Sequence, residues 1–251
     1  MDRVKNFIKD EAAALKSELS VPEYILWWLV RAAQIFVLVR LAIKDPANNN
    51  VVLLSLNLLA TFTVPLVRLL LFPKRIFKRL SFHSQTWLNV MIFFGSFLAQ
   101  GLEWNHKITS WDKVLHLISG AIVVFIGDGI TGMFLDKRDK ISPLFRSYAG
   151  VGFSFIAVVL WEVFEFFADY YIVDSSNQAY NINPERDRFF FMIFGYGVQN
   201  ENQWRVFDTN VDMMCAIVGC IPAAVALWWW YRKKERKTAF SEEDKAEEIT
   251  V

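Results

Sequence analysis

Cysteine is scarce in this chain and neither sign of charge dominates. Only Cys215 and Cys220 occur among 251 residues, five apart in one apolar run. That spacing fits neither a redox CxxC nor a zinc ligand pair, so both are expected to pack. The formal net charge is +1 and the pI about 7.7, which gives no support to a nucleic-acid or bulk acidic partner. No segment alternates with the period of two that a membrane barrel needs, and no internal repeat is visible. Also missing are HExxH, GxSxG, a P-loop and the DxxDG pattern of alcohol phosphotransferases, so no familiar catalytic signature names a reaction.

What the chain has in quantity is apolar surface. It is 54% hydrophobic and 16% aromatic, with mean hydropathy +0.27, and that composition indicates a polytopic membrane protein. Apolar segments at 22–43, 51–72, 87–103, 112–134, 148–171 and 209–231 approach the length that about 30 Å of hydrocarbon requires. Because lipid cannot satisfy backbone polar groups, each is expected to be a helix, giving an all-α bundle of six transmembrane helices.

Lys and Arg concentrate in "FPKRIFKR", "DKRDK" with Arg146, and "YRKKERK", whereas the alternate connections are poor in them. That asymmetry places both termini in the cytoplasm. Residues 1–20 carry Val4, Phe7, Ile8, Leu15 and Leu19 at helical spacing, which predicts an amphipathic helix on the cytoplasmic surface. Its acidic residues are unlike the start of a cleaved signal peptide. "SVPE" at 20–23 has the form of a capping box opening the first span. The transmembrane domain covers 21–231, with an extracytoplasmic loop at 172–207, and 232–251 reads as a charged, disordered cytoplasmic tail.

Within this apolar frame, "VLWEVFEFFADYY" at 159–171 carries three acids. Glu162 and Glu165 share a helix face below the outer end of their span, with Asp169 nearer the surface. "WDKVLH" opens another span and sets Asp112 and His116 one turn apart, the second about 6 Å deeper. "FDTNVD" does the same with Asp208 and Asp212, and Glu103 closes a span at that level. Asp112 and Asp208 also stand where Asp commonly caps a helix. A lone carboxylate in a bilayer costs about 2.5–3.5 kcal/mol by insertion scales, and several together repel, so either protons or a cation must accompany them. Oxygen donors with one imidazole suit Mg²⁺, Mn²⁺ or Ca²⁺, with a catalytic Zn²⁺ also possible. The expected metal ligands are Asp112, His116, Glu162, Glu165, Asp208 and Asp212, with His116 or Glu165 as general base. Deeper in the bilayer, Arg31 and Asp128 are expected to neutralise each other, and Arg68 to snorkel inward.

The blocks "WDKVLH", "WEVFEF" with its trailing Asp, and "DTNVDMMCAIVG" resemble the YjdF-like family of bacterial inner-membrane proteins and, more distantly, VanZ-like proteins. Ala216 departs from the small polar Asn expected there in the VanZ comparison. The resemblance implies a multi-pass inner-membrane protein, and the VanZ association with glycopeptide resistance implies work at the cell surface. Together these readings point to a metal-dependent membrane hydrolase or transferase acting on a lipid or lipid-linked substrate. An ion or small-solute transporter using the same acids, and a non-catalytic scaffold, are the alternatives.

Overall fold

The computed structural model describes residues 2–46, 48–71, 76–108, 110–135, 141–171 and 201–250, and among them it contains helices and no strand. The connection expected at 172–207 lies outside the described residues up to position 200, as do basic positions 72–75 and 136–140. The helices are α1 (Asp2–Glu18), α2 (Val21–Lys44), α3 (Asn49–Ala60), α4 (Thr63–Leu70) and α5 (Phe82–Ile92), the last running into a π-helix at Phe93–Gly101. After these come α6 (Trp104–Lys107), α7 (Trp111–Phe134), α8 (Pro143–Tyr171) and α9 (Glu201–Thr250). Four of them, α2, α7, α8 and the Arg205–Lys237 part of α9, are long and apolar enough to cross a membrane.

The second expected span is not one straight helix. Its two pieces, α3 and α4, are bent by 62° at Thr61 and Phe62, and counting them as one crossing raises the total to five. Pro65 gives the cause: it lacks an amide proton, and its ring clashes with the carbonyl four residues earlier, which is that of Thr61. Side chains from other helices take up the freed groups. Arg31 of α2 donates to the Thr61 carbonyl at 2.8 Å. Gln85 of α5 accepts from the Val64 amide at 2.8 Å and donates to the Ala60 carbonyl at 3.2 Å. The third expected span is divided between α5 and the π-helix, neither of which alone matches the four long helices.

Three further expectations are corrected by these contacts. Arg31 and Asp128 do not pair. The guanidinium faces the α3/α4 break and the rings of Phe62, Trp28 and Trp27, whereas Asp128 of α7 takes Arg146 at 2.7 Å and the Tyr231 hydroxyl at 2.8 Å. Arg68 is buried rather than snorkelling, because α1 lies over it with Glu11 at 2.6 Å and Glu18 at 3.7 Å. The helix α1 also packs Ala14, Leu15 and Leu19 against the cluster of Trp27, Val64 and Phe82. The charged tail is not disordered: α9 continues through it to Thr250, consistent with its many Glu, Lys and Ala residues, which are good helix formers. The capping box at Ser20 and Glu23 is present as expected.

The tightest packing joins α7, α8 and α9. A Cβ at Gly120 would collide with the backbone of Ala216, one at Gly219 with the Leu117 carbonyl, and one at Gly150 with the Val124 carbonyl. Small residues therefore let these backbones touch, which is how helices associate in lipid. Below the contact, Val124, Cys220, Ala223 and Leu227 form a buried apolar cluster. Both cysteines are free and buried.

Candidate functional site

At the α7 N-terminal end of this three-helix unit, polar side chains converge. The α7 helix supplies Asp112, Lys113 and His116, α8 supplies Glu162 and Glu165, and α9 supplies Asp208 and Asp212. Neither Asp112 nor Asp208 is a cap. Ser110 occupies the N-cap of α7, and α9 begins at Glu201, so Asp208 lies inside it.

Lys113 is the residue that sequence reasoning passed over. It is 2% exposed, and its ammonium meets Asp112 at 3.1 Å, Asp208, and both oxygens of Asp212 at 2.9 Å. A lysine has three N–H donors, and three carboxylates receive them here. Its only sequence signal was its position between Asp112 and Val114 in the quoted motif. Next to an acid on the same turn, it reads as a neighbouring charge on a different face rather than as the centre of a site.

His116 lies between two sets of acids. Its Nε2 is 3.8 Å from Oδ1 of Asp112 and 3.8 Å from Oδ1 of Asp212, while Nδ1 is 3.8 Å from Oε1 of Glu162. The imidazole is buried, and among the described residues neither ring nitrogen is within hydrogen-bond distance of a partner. Glu162 has the Thr209 hydroxyl against it, and Glu165 accepts from the Trp161 indole N–H at 2.7 Å. Two sets of donor atoms are therefore close enough to hold a metal ion, Asp112 with His116 and Asp212, and His116 with Glu162 and Glu165. Two ligands bonded to one ion at about 2.0–2.2 Å stand roughly 3–4 Å apart, so a 3.8 Å separation is too long for a hydrogen bond but within the span that one ion could bridge.

Two of the expected residues lie elsewhere. Glu103 forms an ion pair with Lys107 at 3.1 Å, on the surface, with its backbone in the left-handed region at φ 61°. Asp169 is half-buried one turn beyond Glu165 and outside both donor sets. The deeper pair, Arg31 and Asp128, serves the packing described above and does not reach the acids.

A family model described as "Predicted membrane protein (DUF2238)" matches residues 26–234. The chain belongs to the DUF2238 family. The matched span takes in α7, α8 and positions 201–234 of α9, and so every residue of the polar centre. The resemblance of its sequence blocks to YjdF-like proteins is consistent with DUF2238 membership. Neither curated proteins nor solved structures give a match.

Proposed function

We propose that the α7–α8–α9 centre binds a divalent cation and acts as a hydrolase or transferase on a lipid or lipid-linked substrate. His116 carries this reading, as a buried imidazole with no hydrogen bond among the described residues, set 3.8 Å from carboxylate oxygens on both sides. Charge supports it too. Asp112, Asp208 and Asp212 share the Lys113 ammonium, and Glu162 and Glu165 lie with His116 beside them, so acids are concentrated inside apolar surroundings. Mg²⁺, Mn²⁺ or Ca²⁺ suits the oxygen donors, and Zn²⁺ the set containing His116. Such an ion would polarise the reacting oxygen and acidify a bound water, with His116 and Glu165 as candidates for the proton-accepting step. A lipid substrate follows from the surroundings. On α8, Trp161, Val163, Phe164 and Phe166 beside the two glutamates are exposed, so in a bilayer acyl chains would border the site.

In this reading the chain crosses a bacterial inner membrane six times, with α3/α4 and α5 with the π-helix as the second and third crossings. Both termini are cytoplasmic, α1 covers that surface, and the acid centre opens to the outside. The distant VanZ-like resemblance adds the cell surface as the place of work. A transporter using the same acids draws no support from the packing beneath them. Ser154 bonds the Gly120 carbonyl at 2.9 Å, Cys220 touches Ser154, and the apolar cluster around Val124 separates the acids from Asp128.

Incubating purified protein with a panel of phospholipids and lipid-linked substrates, with Mn²⁺ or Mg²⁺, tests the reading. Product formed by wild type and abolished by Glu162→Gln is the expected result. No product that depends on Glu162 would refute it.

A further inference from the structure

Among the described residues three cations are less than one-tenth exposed: Arg31, Arg68 and Lys113. Arg68 meets Glu11 and Glu18, and Lys113 meets three aspartates. Arg31 differs. Its partners among the described residues are the Thr61 hydroxyl at 3.3 Å, the Thr61 carbonyl at 2.8 Å and the rings of Phe62, Trp28 and Trp27, with no acid among them. The C-terminal end of α3 offers about half an elementary negative charge, and the rings add a weaker attraction. A full positive charge inside apolar packing is therefore left partly unbalanced. Its donors are not used up either. A guanidinium has five N–H groups; its two bonds come from Nε and Nη2, and Nη1 gives none to the described residues.

A second unused donor lies level with it. The Trp27 indole donates to Thr86 at 2.9 Å and Gln34 donates to the Ile92 carbonyl at 3.4 Å, which fixes how α2 lies along α5. Arg31 is one turn from both Trp27 and Gln34, and Asn89 is one turn from both Thr86 and Ile92, so the two stand at the same depth. The orientation of Asn89 is dictated by the α3/α4 break. Because the Val64 amide donates to Oε1 of Gln85, the Gln85 Nε2 is left for the Ala60 carbonyl and, at 2.8 Å, for Oδ1 of Asn89. Asn89 must then present Nδ2 on its other edge, where it is fully buried and has no hydrogen-bond partner among the described residues.

Guanidinium and amide N–H groups only donate, so the missing partner is an acceptor, and one positive charge calls for one negative charge. Trp27, Gln34 and Asn89 are each at most 2% exposed, which suits a bare ion better than a solute with a molecular body. We infer that a small monovalent anion of the halide class binds between Arg31 of α2 and Asn89 of α5, beside the α3/α4 break. This site is separate from the acid centre and does not depend on the function proposed for it.

The test exchanges full-length protein in detergent into sodium gluconate and replaces that salt stepwise with sodium bromide at fixed ionic strength, with thermal unfolding as the readout. Crystals grown in bromide locate the ion by anomalous scattering. The unfolding temperature of wild type should rise saturably with bromide, and a peak should lie against Arg31 and Asn89. Asn89→Leu should raise the bromide concentration of half effect at least tenfold. Asn89→Asp keeps an oxygen for Gln85 and sets a fixed negative charge beside Arg31, so it should unfold at the same temperature in both salts. Equal unfolding of wild type in bromide and gluconate overturns the inference, as does a bromide peak confined to surface cations. Saturable stabilisation by sodium acetate but not by bromide overturns the halide class. An Asn89→Asp protein that folds yet still responds to bromide overturns the pairing with Arg31; should it fail to fold, Asn89→Leu and the position of the wild-type peak decide.

Discussion

Lys113 and Asp212 touch at 2.9 Å across 99 residues of sequence, and Asp212 is fully buried. That contact ties the start of α7 to the site end of α9, and it is made where water cannot compensate either charge.

Removing one member of such a pair should therefore cost more than the pair contributes, because the remaining charges stay buried. Lys113→Met should lower unfolding stability by about 3–5 kcal/mol in metal-free detergent solution, and Lys113→Arg by distinctly less. Chelator-treated samples followed by thermal or denaturant unfolding would show this. Equal stability of Lys113→Met and wild type would contradict the placement.

The close approach of α7 and α9 predicts a sharp contrast among glycines. Gly120→Leu or Gly219→Leu drives a side chain into the facing backbone and should abolish the folded, monodisperse protein on size-exclusion chromatography. Gly152, around which a Cβ would meet nothing within 4 Å, should accept Ala without loss. Helix propensity favours Ala there by up to about 1 kcal/mol.

At the far end of the same helices, Tyr231 donates to Asp128 at 2.8 Å while Arg146 lies over its ring at 4.1 Å. Tyr231→Phe keeps the ring contact and deletes one bond to a charged acceptor, so a loss of about 1.5–3 kcal/mol is expected. In the Asp128→Asn, Arg146→Gln background the same change should cost much less. A double-mutant cycle on unfolding stability measures the difference.

Ser110 has φ 59°, a left-handed conformation costing an L-residue roughly 1–2 kcal/mol, and its buried hydroxyl has no hydrogen-bond partner among the described residues. Ser110→Gly relieves both and should raise stability by about 1 kcal/mol, whereas Ser110→Val should lower it. Paired unfolding curves would settle the sign.

Much of this architecture could be read from residue spacing. Acids three or four apart on apolar helices announce one face, and the arrangement of basic connections decides which helix ends belong together. Such spacing groups Asp112 with His116, Glu162 with Glu165, and Asp208 with Asp212, each pair on its own helix. Spacing does not say how each helix is rotated about its axis. Arg31 therefore went to the wrong partner, since α2 turns it toward the Pro65 break instead of toward α7. Lys113 was missed for a related reason, because a flexible four-carbon stem can swing its charge away from the direction its Cα implies. Glu103 shows the limit from the other side: its depth matched the other acids, but its backbone turns it toward Lys107.

The interrupted pair α3 and α4 has a bearing on how the chain is made. Until Gln85 arrives from α5, the amide of Val64 lacks its side-chain acceptor, whereas the Thr63 hydroxyl and Arg31 of the earlier α2 can already serve the Ala60 and Thr61 carbonyls. The segment around Pro65 should therefore linger at the translocon, or remain only partly inserted, until α5 has been synthesised and can dock. A ribosome-bound chain ending before Gln85 would then be more easily extracted from the membrane than one ending a few turns later.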